Sequence, residues 1–291
     1  MNRQLMIGLA GHKLSERERH WLREAPPLGV ILFGRNVADP EQVRALIEES
    51  RQVAGKPLWA AIDEEGGRVN RMAWPPFSGR RHAADWGDLY RTDAQAALAG
   101  VRDDAHVVGV ELARLGFTHD CAPVLDLLLP GGHAVIGRRS YGDSVATVTA
   151  LGAAAVQGLQ AAGVAAIGKH FPGHGRANLD SHLAVPVVDA PLEQLLAEAE
   201  PFRQLIGGEL RHLMSAHVIY DRCDSAVATC SPFWLKEILR GRFGFAGTLW
   251  SDDLCMKGVG DSPRIAAERA QAAGCDVLLV CEPQGVAEVY G

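Results

Sequence analysis

Short apolar runs recur along the chain at Leu5–Leu9, Gly29–Phe33, Leu58–Ile62, Phe117–Leu125, Val164–Gly168, His212–Ala216, Gly247–Trp250 and Asp276–Cys281. Their length and aliphatic content read as buried strands. Between them lie segments with helical spacing or composition: Ser15–Arg23, Pro40–Val53, Asp93–Leu115, Val145–Ala162, Leu192–Leu205, Pro232–Arg242 and Pro263–Ala273. Asp39 is placed to cap the second of these helices, with Pro40 at its first position. Gly55, Gly116, Gly163 and Gly274 stand where helix ends take left-handed backbone. No linker rich in Pro, Gly or Ser interrupts the alternation, so residues 1–291 read as one domain.

Alternating strands and helices imply a parallel sheet with right-handed crossovers, either open and doubly wound or closed into a barrel. The polar residues separate the two. Nearly every apolar run ends in chemically capable side chains: Arg35-Asn36, Asp63-Glu64-Glu65, Asp126, Lys169-His170, His217, Asp252-Asp253 and Glu282. A barrel gathers all its C-terminal strand ends around one mouth, whereas an open sheet uses only its switch point. The expected fold is therefore α/β, a TIM-type (β/α)8 barrel; the alternative is that these charges merely mark strand ends. Past the eighth strand only Gln284–Val289 can start a final helix, which is expected to be short or missing.

Composition narrows the function. With 47% hydrophobic and 22% charged residues in 291, the chain is neither disordered nor a disulfide-stapled mini-protein. A net charge of −6 gives no basic footprint for nucleic acid or an anionic membrane. No stretch reaches the roughly 20 apolar residues of a membrane span, and Leu5–Ala10 is too short for a signal peptide. The six cysteines form no C-x-x-C pair and read as free thiols in the cytoplasm.

The densest chemistry is Lys169-His170-Phe171-Pro172-Gly173-His174-Gly175 followed by Asp180-Ser181-His182. Pro172, Gly173 and Gly175 oppose a helix, so His170 and His174 do not share a face as in helical metal sites. Asp180 and His182 are close enough for a carboxylate to orient an imidazole. His174 either joins them or only pins the loop. Trp250-Ser251-Asp252-Asp253 delivers a carboxylate to the barrel mouth; in a strand only one aspartate faces the pocket, and Asp253 can instead cap the next turn. Asp63-Glu64-Glu65-Gly66-Gly67-Arg68-Val69-Asn70-Arg71 combines carboxylates with guanidinium groups that suit sugar hydroxyls, or a structural Glu65–Arg68 pair. In Gly137-Arg138-Arg139-Ser140-Tyr141, one arginine reads as a surface charge.

Together with Ser215-Ala216-His217 and Ser251-Asp252-Asp253-Leu254-Cys255-Met256, these segments resemble, in order, glycoside hydrolase family 3. More narrowly, they are similar to the bacterial single-domain β-N-acetylglucosaminidases of cell-wall recycling. The resemblance implies retaining hydrolysis of terminal β-linked N-acetylglucosamine, with N-acetylglucosaminyl-1,6-anhydro-N-acetylmuramic acid, with or without peptide, as substrate. By position it implies Asp252 as nucleophile, His182 as general acid/base and Asp180 as its partner. Asp63, Arg71, Arg139, Lys169 and His170 would hold the sugar. A monomer needing neither metal nor organic cofactor is expected. The chain departs from the family where Asp224-Ser225-Ala226-Val227-Ala228 replaces a proline-bearing segment, and in ending soon after the eighth strand.

Retaining glycosidases usually pair two carboxyl groups. An imidazole, whose ordinary pKa is about 6.5, can donate and then accept a proton, and in its neutral form does not repel a carboxylate nucleophile. Glu64 and Glu65 are the competing acids. Lys169, His170, His217 and Asp252 also resemble the ligands of a metal-dependent barrel hydrolase, and a non-catalytic sugar-binding barrel is a third reading. Phosphate could replace water as acceptor.

Overall fold

The computed structural model describes residues 4–181, 183–208 and 210–291. Among the described residues eight parallel strands form one sheet: β1 (Leu5–Gly8), β2 (Gly29–Leu32), β3 (Trp59–Ile62), β4 (His119–Asp120), β5 (Ala165–Phe171), β6 (His212–Ser215), β7 (Thr248–Trp250) and β8 (Leu278–Val280). The first strand lies between β2 and β8, pairing Met6 with Gly29 on one side and with Leu279 on the other. A bridge from Trp250 to Val277, with Ser251 N–H donating to the Val277 carbonyl at 2.8 Å, joins β7 to β8. This closes the ring, so the fold is the TIM-type barrel and not an open sheet.

Outside it run α1 (Glu16–Glu24), α2 (Pro40–Ala54), α3 (Ala83–Thr92), α4 (Ala94–Leu115), α5 (Val145–Ala161), α6 (Leu192–Glu198), α7 (Glu200–Ile206), α8 (Pro263–Ala273) and α9 (Pro283–Tyr290). A π-wound helix spans Phe233–Arg242. Asp39 caps α2 by accepting from Gln42 N–H at 2.8 Å, and Gly55 ends that helix at φ 63°. The final helix is present but short. Among the described residues no helix is long and apolar enough to cross a membrane.

Three elements depart from the sequence pattern for local reasons. Expected as Phe117–Leu125, β4 is regular only at His119–Asp120, because Pro123 has no N–H to give the ladder. The chain still runs beside its neighbours there, with Leu125 N–H donating to the Lys169 carbonyl. One helix expected over Leu192–Leu205 is two, since Pro201 cannot sit inside an α-helix. The sequence pattern does not announce the polar helix α3; Gly87 interrupts it, yet a Cβ there would lie 1.7 Å from the Tyr141 carbonyl oxygen.

Alternation along the strands builds two cores. On β1, Leu5 and Ile7 pack against the helices while Met6 joins Ile31, Ala61, Ile167 and Met214 inside the barrel. The interior also holds Trp59, His119 and His212, each at the start of its strand, and Trp250 at the end of β7, with the Trp59 and His119 rings 4.4 Å apart. Burial, reinforced by His212, lowers the His119 pKa to about 3. An unfolded chain takes up that proton near pH 6.5 and the folded one does not, so this contribution to stability is complete above pH 6.5 and is lost as pH falls toward 3. His119→Phe keeps a ring in the stack and removes the titration. Its melting temperature at pH 7 should stay near wild type, while its loss of unfolding free energy between pH 6 and 4 should be smaller, by an amount on the order of a few kcal/mol. An unchanged acid limb would show that other groups govern acid unfolding.

Candidate active site

An open cavity of about 410 Å³ lies at the C-terminal strand ends. Its floor is apolar, made by Ile31, Met214, Leu279 and Cys281, which come from β2, β6 and the β8 end. Charged groups ring it. Lys169, 2% exposed at its side chain, donates to Asp63 Oδ1 at 2.8 Å and sits 2.6 Å from Glu65 Oε1. Arg139 forms a two-pronged pair with Glu65, both contacts at 2.7 Å, and reaches the Val135 carbonyl at 3.1 Å. Arg71 approaches Asp63 Oδ2 at 3.4 Å, and its buried Nε has no hydrogen-bond partner among the described residues.

Electrostatics keep this cage charged. Burial alone would raise Glu65, but Arg139 and Lys169 outweigh it and hold the carboxyl far below the carboxylate range. Burial likewise opposes ionisation of Asp63, and Lys169 and Arg71 overcome it. Lys169 is pushed down by burial and, more strongly, up by Asp63 and Glu65. The Glu65–Arg68 pair allowed by the sequence does not form: Glu65 takes Arg139, which lies far away in sequence, while Arg68 donates to the Val135 carbonyl. Arg138 is the surface charge, paired with Asp85.

Both Lys169 and His170 line the cavity although they are adjacent. The register between β5 and β6 shifts between Gly168 and Phe171, which breaks strict alternation. Asp126, fully buried, accepts from His170 Nδ1–H at 2.7 Å and from the His174 backbone N–H at 2.7 Å. Burial opposes the charge on Asp126, and His170 more than compensates. Sequence alone marks Asp126 only as a polar strand end; its role as the orienting partner of His170 depends on a contact 44 residues away.

The loop after β5 is not helical through Gly173–Gly175, as expected. His174 pins it: Nε2 and the Ser181 hydroxyl are 3.1 Å apart, while Gly258 N–H donates to the Ser181 carbonyl at 2.8 Å. Burial lowers the His174 pKa to about 4, so the ring is neutral near pH 7. Asp180 and Ser181 line the cavity. His182 lies outside the described residues.

Asp252 and Asp253 both line the cavity. The expectation that only one could do so rests on strand alternation, but β7 ends at Trp250 and both residues lie beyond it. Asp253 also caps the turn, its Oδ1 accepting from Cys255 and Cys281 N–H groups at 3.0 Å. Glu64 points elsewhere, into a separate small chamber of about 40 Å³ that Asp120 shares. Burial raises Glu64 to about 8 and Asp120 to about 7. Of the two competing acids, Glu64 is therefore outside the cavity and Glu65 is held ionised. The metal-ligand reading loses His217, whose two ring nitrogens are bonded to Thr229 and to the Asp253 carbonyl.

Known proteins are similar to this chain in sequence and fold. Residues 3–290 match the glycosyl hydrolase family 3 N terminal domain. A beta-hexosaminidase of Glaesserella parasuis is 42% identical over 98% of this chain and 83% of its own length. One from Tolumonas auensis is 43% identical over 95% of this chain and 82% of its own. Among solved structures, NagZ from Neisseria gonorrhoeae in complex with N-trifluoroacetyl-D-glucosamine superposes with a TM-score of 0.90 at 37% identity, covering 98% of this chain and 84% of that one.

Proposed function

Because the chain belongs to glycosyl hydrolase family 3, we propose that it is a retaining exo-β-N-acetylglucosaminidase. It removes terminal β-linked N-acetylglucosamine from peptidoglycan fragments, N-acetylglucosaminyl-1,6-anhydro-N-acetylmuramic acid with or without peptide, as a cytoplasmic monomer in cell-wall recycling. The observation that supports this reading is one cavity lined both by Asp252 and by an ionised cage of Asp63, Lys169, Glu65 and Arg139 over an apolar floor. Curated relatives named beta-hexosaminidase and a neighbour solved with a glucosamine derivative support it.

In the proposed cycle an Asp252 carboxylate oxygen attacks the anomeric carbon as the glycosidic bond breaks, and His182 gives its proton to the leaving oxygen. Water then attacks the glycosyl ester, His182 takes the water proton, and the Asp252 carboxylate is released. Two displacements return the original β configuration. Asp180 stabilises the imidazolium form of His182 and fixes its tautomer. Asp63, Arg71, Arg139, Lys169 and His170 hold the sugar; the partnerless Arg71 Nε is a donor suited to a hydroxyl, and the ion pairs of the cage fix its polar atoms before substrate arrives.

Proton NMR during turnover of the anhydro-disaccharide tests this. Free N-acetylglucosamine should appear first as its β-anomer. First appearance of the α-anomer, of a sugar phosphate in phosphate buffer, or of no cleavage would reject the reading.

A further inference from the structure

The segment that carries Asp252 is held by several hydrogen bonds, and one of them comes from a group that the proposed cycle does not use. The Asp253 N–H donates to Asp252 Oδ1 at 2.7 Å, which sets the orientation of that carboxylate. Asp253 is in turn fixed at its side chain by the Cys255 and Cys281 N–H groups. Its carbonyl oxygen lies 2.9 Å from His217 Nε2. A carbonyl only accepts, so Nε2 carries the proton.

That assignment propagates. His217, Ser215 and Thr229 are each 0% exposed. In the neutral ring the other nitrogen is an acceptor, and it lies 2.9 Å from the Thr229 hydroxyl, whose single proton it shares with the Ala216 carbonyl at 3.1 Å. Burial lowers the His217 pKa, which favours that neutral ring. Ser215 Oγ, 2.9 Å from Thr229 Oγ1, also reaches the Trp250 carbonyl at 3.1 Å, at the end of the strand that delivers the nucleophile. The Asp253 carbonyl thus sets the tautomer of one histidine, the hydroxyls of β6 and of the turn Ala228–Cys230 lie along its other side, and the histidine holds the Asp253–Leu254 peptide, one residue beyond Asp252.

We propose that His217 is a positioning residue for the glycosyl-transfer step, holding the Asp252 carboxylate at its attack angle through the Asp253 carbonyl as an Nε2–H donor whose other ring nitrogen rests on Thr229. This rests on Asp252 being the nucleophile. Displacing a reacting atom by about 1 Å can cost on the order of 10²-fold in rate without a contact to the substrate being lost.

Two polar substitutions test it. In His217→Gln the amide nitrogen falls near the position of Nε2 and can still donate to Asp253; in His217→Asn it falls near Nδ1 and cannot. The Gln enzyme should keep kcat within about tenfold of wild type, and the Asn enzyme should lose about 10²-fold, both with KM within about threefold. Thr229→Val, which removes the hydroxyl partner and keeps the shape, should fall between them. Equal loss in the Gln and Asn enzymes, a loss expressed in KM, or wild-type kcat in a folded Asn enzyme would overturn the proposal. Full activity of Asp252→Asn would instead refute the nucleophile assignment itself, so the two failures are distinguishable.

Discussion

Asp252→Asn is expected to lower kcat/KM on aryl and disaccharide substrates by about 10⁴-fold or more. The amide cannot form the glycosyl ester, and among the described residues its nearest carboxylate neighbours are engaged elsewhere. Asp253 uses Oδ1 to accept two backbone N–H groups, and burial raises its pKa. Glu65 is locked to Arg139 and Lys169. The substitution should not disturb the fold, because an asparagine Oδ1 can still accept from the Asp253 N–H. Melting temperature and circular dichroism near wild type, together with the lost turnover, would separate chemistry from folding. A loss below about tenfold would place the nucleophile elsewhere.

His182→Ala is expected to discriminate by leaving group. A sugar alkoxide needs its proton as the bond breaks, so kcat/KM on the disaccharide should fall by about 10²–10⁴-fold. A dinitrophenolate leaves unaided, so kcat/KM on the corresponding glycoside should fall less than about tenfold. Its kcat should nevertheless drop, because the water that cleaves the glycosyl ester still needs a base. The remaining carboxyl groups do not compensate: Glu64 faces the chamber behind the β3–β4 wall and Glu65 has no proton to give. An equal fall on both substrates would mean that His182 does something other than acid/base catalysis.

The barrel was legible because its information is local. Alternation, the Asp39 cap and the glycine stops each depend on a few neighbouring residues, and the polar strand ends pointed to one shared mouth. What escaped was set by residues distant in sequence. Gly87 looks like a helix breaker until the Tyr141 carbonyl is seen against it. The family resemblance implies Arg139 as a sugar-binding group, and sequence does not show that its guanidinium is committed to Glu65 and the Val135 carbonyl, so that it acts on any ligand from inside an ion pair. Asp126 looks like ordinary strand-end polarity, and only the fold shows it carrying His170 and the His174 backbone. The adjacent Lys169 and His170 share one cavity through a register shift that no alternation rule predicts. His182, the proposed acid/base, is legible in sequence and lies outside the described residues, so kinetics must test it.

The most direct test is to intercept the glycosyl-enzyme. A 5-fluoro glycosyl fluoride of N-acetylglucosamine forms its ester quickly and loses it slowly. After reaction, intact mass should rise by one fluorinated acetamido-sugar, and peptide mapping should put it on Asp252. No adduct under inactivating conditions, or an adduct on Asp253, Glu65 or another side chain, would contradict the assignment.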